Sequence, residues 1–127
     1  MTENEVAKIV VDAAYHIHTK VGPGLLESAY ELILEHELRK RGLRVERQVA
    51  VPIVYDDLVV SDAFRADLIV EDLVILELKS VEQIHPVYAK QLLTYLKLTG
   101  KRLGLLINFN TRLIREGITR VANGLPD

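Results

Sequence analysis

The chain has 127 residues, no cysteine and a formal net charge of −2. That length suits one domain rather than two, and the lack of cysteine excludes a disulfide framework, a thiolate zinc site and an iron–sulfur cluster. The slightly acidic balance counts mildly against a dedicated nucleic-acid binder, whose domains are usually basic.

The opening stretch, MTENEVAKIV, carries acidic residues and no long apolar run, so it does not read as a signal peptide. The apolar runs elsewhere fall far short of a membrane span. The expectation is a single cytoplasmic domain over 1–127 with no membrane association.

From Glu3 to Val21 the apolar positions Val6, Ile9, Val10, Ala13, Ala14 and Ile17 recur at helical spacing. VGPG stops that helix, and lacking the Lys-Ser/Thr of a phosphate loop it reads as a turn. His16 and His18 look like a metal pair, but positions i and i+2 of a helix point about 200° apart and cannot share an ion. A second helix is predicted from about Leu25 to Arg41, ending at Gly42. The run RKRGLRVER places Arg39, Lys40, Arg41, Arg44 and Arg47 together. It could track phosphates, or it could be a solvated helix end whose cations favour the C-terminal dipole.

The pattern then turns β-branched. VERQVAVPIVY, Val45 to Tyr55, reads as a strand whose Pro52 marks an edge or a bulge. DDL is a turn, VVSDAFRADLIV a second strand, ED the next turn and LVILELKS a third strand. The third strand is apolar on both faces, so it is expected at the centre of the sheet and covered on both sides. Helical spacing returns from about Pro86 to Thr99, and RLGLLINFN follows as a fourth strand, parallel to the third through a right-handed crossover. The tail is ambiguous: GITRVA alternates like an edge strand, while RLIRE could start a helix. The order α-α-β-β-β-α-β describes an α/β domain, with a mixed central sheet of about four to five strands flanked by helices.

Glu77 and Lys79 sit within the apolar third strand, and period two puts them on one face. Removing a charge from water costs several kcal/mol. The preceding strand carries Asp67, a residue type disfavoured in strands. If Val70 pairs with Val74, Asp67 lies opposite Glu77, which requires an odd-length loop or an equivalent bulge. Two facing carboxylates repel unless a cation lies between them or one is protonated. An all-oxygen site favours Mg²⁺ or Mn²⁺, and Lys79 beside it could hold a water or neutralise charge on a phosphate. The competing interpretation is a Glu77–Lys79 ion pair at the strand end, with Asp67 solvated nearby.

DLIVEDLVILELKS resembles the core of the PD-(D/E)XK phosphodiesterase superfamily, and the resemblance implies a restriction-endonuclease-like fold. It assigns the superfamily's Asp to Asp67, its acidic residue to Glu77 and its lysine to Lys79; Ala66 stands where the motif has proline. GLLESAY is similar to the G-x-x-E-x-x-Y pattern, with Gly24, Glu27 and Tyr30, of a bacterial and archaeal family in the same superfamily. The similarity runs from about Ala7 to Val121. It implies that Glu27 points from its helix into the metal site. Without it, Glu27 is simply favourable at a helix N-terminus, with Tyr30 in the core. QLLTY, with Gln91 and Tyr95 one helical turn apart, resembles the Q-x-x-x-Y element of recombination-repair helicase–nucleases. That element lies beside the active site. His85, in the loop after the third strand, has no motif behind it.

The resemblance therefore implies a metal-dependent phosphodiesterase, a nuclease with DNA as the favoured substrate. The alternative is a catalytically inactive binding or structural protein on the same fold, in a nucleic-acid-related complex. A chain this small has little surface to spare for a duplex, since specific interfaces bury about 1,000 Å² or more. A homodimer would help by setting two sites across one duplex.

Overall fold

The computed structural model describes residues 1–126. Helix α1 spans Glu3–Val21 and opens with a capping box: the Thr2 hydroxyl accepts from the Glu5 amide at 3.2 Å, and the Glu5 carboxylate accepts from the Thr2 amide at 3.0 Å. It ends at Gly22, whose φ of 69° an L-residue adopts only under strain. Helix α2 spans Glu27–Lys40, a little shorter than the spacing predicts, and its cap position Leu26 offers no side-chain acceptor. Tyr30 stabilises this junction instead. Its hydroxyl donates to the Gly22 carbonyl at 2.6 Å and accepts from the Leu25 amide at 3.2 Å.

Strands β1 (Val45–Tyr55), β2 (Leu58–Val70) and β3 (Val74–Lys79) form the expected antiparallel meander. Helix α3 (Val87–Thr99) then crosses over to β4 (Leu103–Asn108), which pairs parallel to β3. Both readings of the tail hold in part: a 3₁₀ turn at Ile114–Gly117 leads into β5 (Ile118–Ala122), antiparallel to β4. The result is one mixed five-stranded sheet in the order β1-β2-β3-β4-β5. β3 is central, as its apolar character requires. Pro52 lies on edge strand β1, where the register also shifts between Val51 and Ile53.

Two cores result. Val6, Val10, Ala13 and Ile17 of α1, with Leu34 and Leu38 of α2, cover Leu68, Val70, Leu76 and Leu78 on one face. Leu92 and Leu96 of α3 cover Ile69, Ile75 and Leu106 on the other. The faces of β1 and β2 invert partway along. Leu68 and Val70 belong to the α1/α2 core, yet Ala66 and Phe64, at the same parity, belong to the α3 core. Val45 and Val49 divide likewise on β1. The inversion falls at Gln48 and Asp67. Beyond it, β1 and β2 run on as a two-stranded arm whose Val54, Tyr55, Leu58 and Val59 are exposed. Among the described residues no helix is long and apolar enough to cross a membrane.

Candidate active site

Val70 pairs with Val74, as the facing-carboxylate arrangement requires. Glu71 and Asp72 take φ of 53° and 56°, and the Leu73 amide closes the turn on the Val70 carbonyl at 3.0 Å. The ladder runs through Leu68 and Leu76 and stops there. At the next position Asp67 replaces the backbone as partner: its Oδ2 accepts from the Leu78 amide at 2.8 Å. This bond fixes one carboxylate oxygen to the central strand and brings Asp67 beside Glu77.

Glu77 is the anomalous group. Its Oε1 is buried and has no hydrogen-bond partner. Burial, then the neighbouring Asp67 charge, push its carboxyl up to about 9. Without a cation, burial and the facing acid favour the protonated form of Glu77. A buried carboxyl oxygen without a partner costs about 1–3 kcal/mol, a cost that a bound ligand would offset. Two adjacent carboxylates, one with a free oxygen, form a donor set that fits a hard divalent cation.

The acids open into a cavity of about 220 Å³ lined by Arg65, Asp67, Glu77, Lys79, Gln91 and Tyr95, among others. Lys79 makes no ion pair with Glu77. Its Nζ stands 4.3 Å from the centroid of the Tyr88 ring, a cation–π contact that holds the ammonium at the cavity. Gln91 and Tyr95 line the same cavity from α3, as the i, i+4 spacing predicts. The Tyr95 ring stacks on Phe64 with centroids 3.8 Å apart, and burial followed by the nearby Glu77 and Asp67 charges raises its phenol pKa. Arg65, which carries no sequence motif, also lines the cavity, with its guanidinium paired to Asp62 at 3.1 Å.

A second group missed from sequence stands behind Asp67. The Gln48 carboxamide donates from Nε2 to Glu31 Oε1 at 2.5 Å and faces Asp67 Oδ1 at 3.5 Å. Glu31 is 6% exposed and also pairs with Arg47 at 3.5 Å. Its only sequence signal is that it sits one helical turn after Glu27, on the same face of α2.

Glu27 itself is not brought to the acids. It lines a neighbouring groove with Gly24, Ser28 and Ser80, and its Oε1 lies 3.4 Å from the Ser80 amide. Tyr30 is fully buried and stacks on Phe109 with centroids 4.3 Å apart, so its contacts belong to the core and the interhelical turn. Among the described residues no cluster of three acids, histidines or cysteines could hold a metal. The basic run is largely occupied: Arg41 binds Asp12 and Glu37, Arg39 binds Glu35, and Arg47 binds Glu31 and Glu35. Lys40 and Arg44 reach Glu37 and Glu71 at longer range. These pairings favour a structural role for the run. His18 bonds the Thr111 carbonyl, and His85 accepts from the Val87 amide.

A family model described as the PD-(D/E)XK nuclease superfamily matches residues 4–121. No curated protein and no solved structure matches the chain.

Proposed function

The chain belongs to the PD-(D/E)XK nuclease superfamily, and from that membership and the geometry of Asp67, Glu77 and Lys79 we propose that it is a divalent-metal-dependent phosphodiesterase acting on DNA. One observation carries the reading: a carboxylate oxygen of Glu77 is buried without a partner, beside a second acid, at the wall of a cavity that also holds a lysine. Asp67 and Glu77 would hold the ion. When bound, Mg²⁺ or Mn²⁺ would supply Lewis-acid polarisation of the phosphodiester and a more acidic water.

The chain's own residues do the rest. Asp67 keeps one oxygen on the Leu78 amide, so its carboxylate is oriented before any ligand arrives. Lys79, resting on the Tyr88 face, presents its ammonium to the nucleophilic water or to the charge growing on phosphorus. Arg65 on the cavity wall would exchange its exposed pairing with Asp62 for a non-bridging phosphate oxygen, its planar fork suiting phosphate. Gln91 and Tyr95 form the α3 wall of the cavity beside the acids. Glu27 acts from the adjacent groove, through the Ser80 amide next to Lys79. Gly24, Glu27 and Tyr30 keep the G-x-x-E-x-x-Y spacing, which supports placing the chain in that family. The composition supports a cytoplasmic location, and a homodimer would present two cavities to one duplex.

A second reading, a nuclease-fold binding protein without turnover, is favoured by the β1–β2 arm. Its exposed Val54, Tyr55, Leu58 and Val59 are interspersed with Asp56, Asp57 and Asp62, a surface unsuited to phosphate. Calorimetric titration of Mn²⁺ and Mg²⁺ into the wild type and an Asp67→Ala/Glu77→Ala variant separates the two. Binding that disappears in the variant, with cleavage of single- or double-stranded DNA, supports the phosphodiesterase. A folded wild type that binds neither ion supports the binding protein.

A further inference from the structure

Gln48 has φ of 54° inside an otherwise extended strand. For a residue with a Cβ that conformation is strained, and it is held only where the surroundings over-determine it. The surroundings here do so three times. The carboxamide nitrogen donates to Glu31 at 2.5 Å and faces Asp67 at 3.5 Å, while the Gln48 carbonyl accepts from Arg65 Nη1 at 3.3 Å. One inverted residue therefore touches an acid of the site, the cation on its wall and a buried carboxylate on α2. It also lies opposite Asp67, where both strands exchange faces.

Resting on the metal-site reading above, we propose that Gln48 is a positioning residue that tethers Asp67 to Glu31, so that α2 sets the orientation of the Asp67 carboxylate at the sheet. The chemistry fits the role. A primary amide has two N–H donors and can serve two carboxylates at once, neutralising neither by proton transfer. A carboxylate in that place would add a third negative charge, and a shorter amide would not span both acceptors. Gln48 Nε2 faces Asp67 Oδ1 at 3.5 Å while the Leu78 amide holds Oδ2 at 2.8 Å, so each oxygen of the carboxylate has a donor on the sheet.

Gln48→Gly tests this, because glycine accepts the positive φ and loses only the side chain. Amide hydrogen exchange at Leu78 and Mn²⁺ titration are the two readouts. Leu78 exchange is expected to speed by tenfold or more, with Ile75 on the same strand unchanged. Mn²⁺ affinity is expected to fall about 10- to 100-fold, the usual loss when a partner behind a metal ligand is removed. Glu31→Ala should move both readouts the same way, and the Gln48→Gly/Glu31→Ala pair should be no worse than Gln48→Gly alone. If Gln48→Gly does not fold, Gln48→Asn, which also tolerates the φ, is read in its place. Unchanged Leu78 exchange overturns the tether whatever the metal does. Faster exchange with Mn²⁺ affinity within twofold of wild type overturns its role in the site. A wild type that binds no Mn²⁺ defeats the metal reading instead, and the Leu78 exchange alone then decides whether Gln48 orients Asp67.

Discussion

On the face covered by α1 and α2, β2 and β3 present Leu68, Val70, Leu76 and Leu78, all closed off from water by two helices. On the face covered by α3 alone, the same strands present Ile69 and Ile75 and then, without a break in the chain, Asp67 and Glu77. A single helix covers only part of a face, and the uncovered end becomes the cavity. The larger apolar core lies on one side of the sheet and the facing acids Asp67 and Glu77 lie on the other, with β3 common to both. The central strand can hold a misplaced charge because its other face is packed against two helices.

The largest effect expected from breaking this division is on chemistry. Lys79→Ala removes the ammonium that rests on Tyr88 and leaves both cores intact. Cleavage should drop by at least about 10²–10³-fold, the range seen when one charge-stabilising donor is lost, with an unchanged melting temperature. A gel assay beside a thermal melt checks both halves. Full activity in that variant would remove Lys79 from the mechanism.

Next come the cores. Leu38→Ala, on the fully covered face, should cost about 2–5 kcal/mol of stability and leave Mn²⁺ affinity within twofold. Leu92→Ala, on the buried face of α3 next to Gln91, should cost a similar amount and also weaken Mn²⁺ binding, because α3 forms the cavity wall. Denaturant unfolding paired with calorimetry separates them. Equal metal affinities in both variants would mean that the two faces are not functionally distinct.

Much of this division is legible in the sequence. α1 and β1 have the predicted ends, and the odd-length loop after Val70 is enough to place Asp67 against Glu77, because side-chain facing in strands has a strict period of two. Gln91 and Tyr95 are legible for the same reason at helical period. The exchange of faces at Gln48 and Asp67 is not. Phe64, Ala66, Leu68 and Val70 alternate with one parity and look like a single buried stripe, yet half lies on each face. Only the left-handed backbone of Gln48 betrays the switch, and glutamine carries no signal for that conformation as glycine or asparagine would. Glu31 is hidden for a different reason. Its partner Gln48 lies 17 residues away, on β1, and Glu27, one turn earlier, fits a motif that Glu31 does not.

A pH-dependent effect distinguishes the acids themselves. The Glu77 carboxyl is raised from an ordinary 4.5 to about 9. The folded protein therefore keeps a proton that the unfolded chain releases between those values. Stability from this group is complete below pH 4.5. It falls as pH rises toward 9, by up to about 1.4 kcal/mol per pH unit, and then levels off. Glu77→Gln, neutral at every pH, should remove that slope and melt higher than wild type at pH 8 without metal. Saturating Mn²⁺ should raise the wild-type melting temperature and not that of the variant. Urea midpoints measured from pH 5 to 9 would show it, and parallel pH profiles would mean that Glu77 is ionised in the folded state.

The smallest effect tests whether the covered face is purely structural. Tyr30 is one polar exception there, fully buried with its hydroxyl between the Gly22 carbonyl and the Leu25 amide. Tyr30→Phe keeps the stack on Phe109 and removes both bonds, leaving two backbone groups to find water at the interhelical turn. The loss should be about 1 kcal/mol, since that turn is near the surface and a typical net hydrogen bond contributes about 0.5–1.5 kcal/mol. Because Leu25 and Glu27 both lie beside Ser80, a loosened turn would reach the residue after Lys79. If Tyr30 serves only the fold, kcat stays at the wild-type value while the melting temperature drops. A fall in kcat at a temperature where the variant is fully folded would show that the turn carries the Glu27–Ser80 contact into the site, and the division between the two faces would then stop at the end of β3.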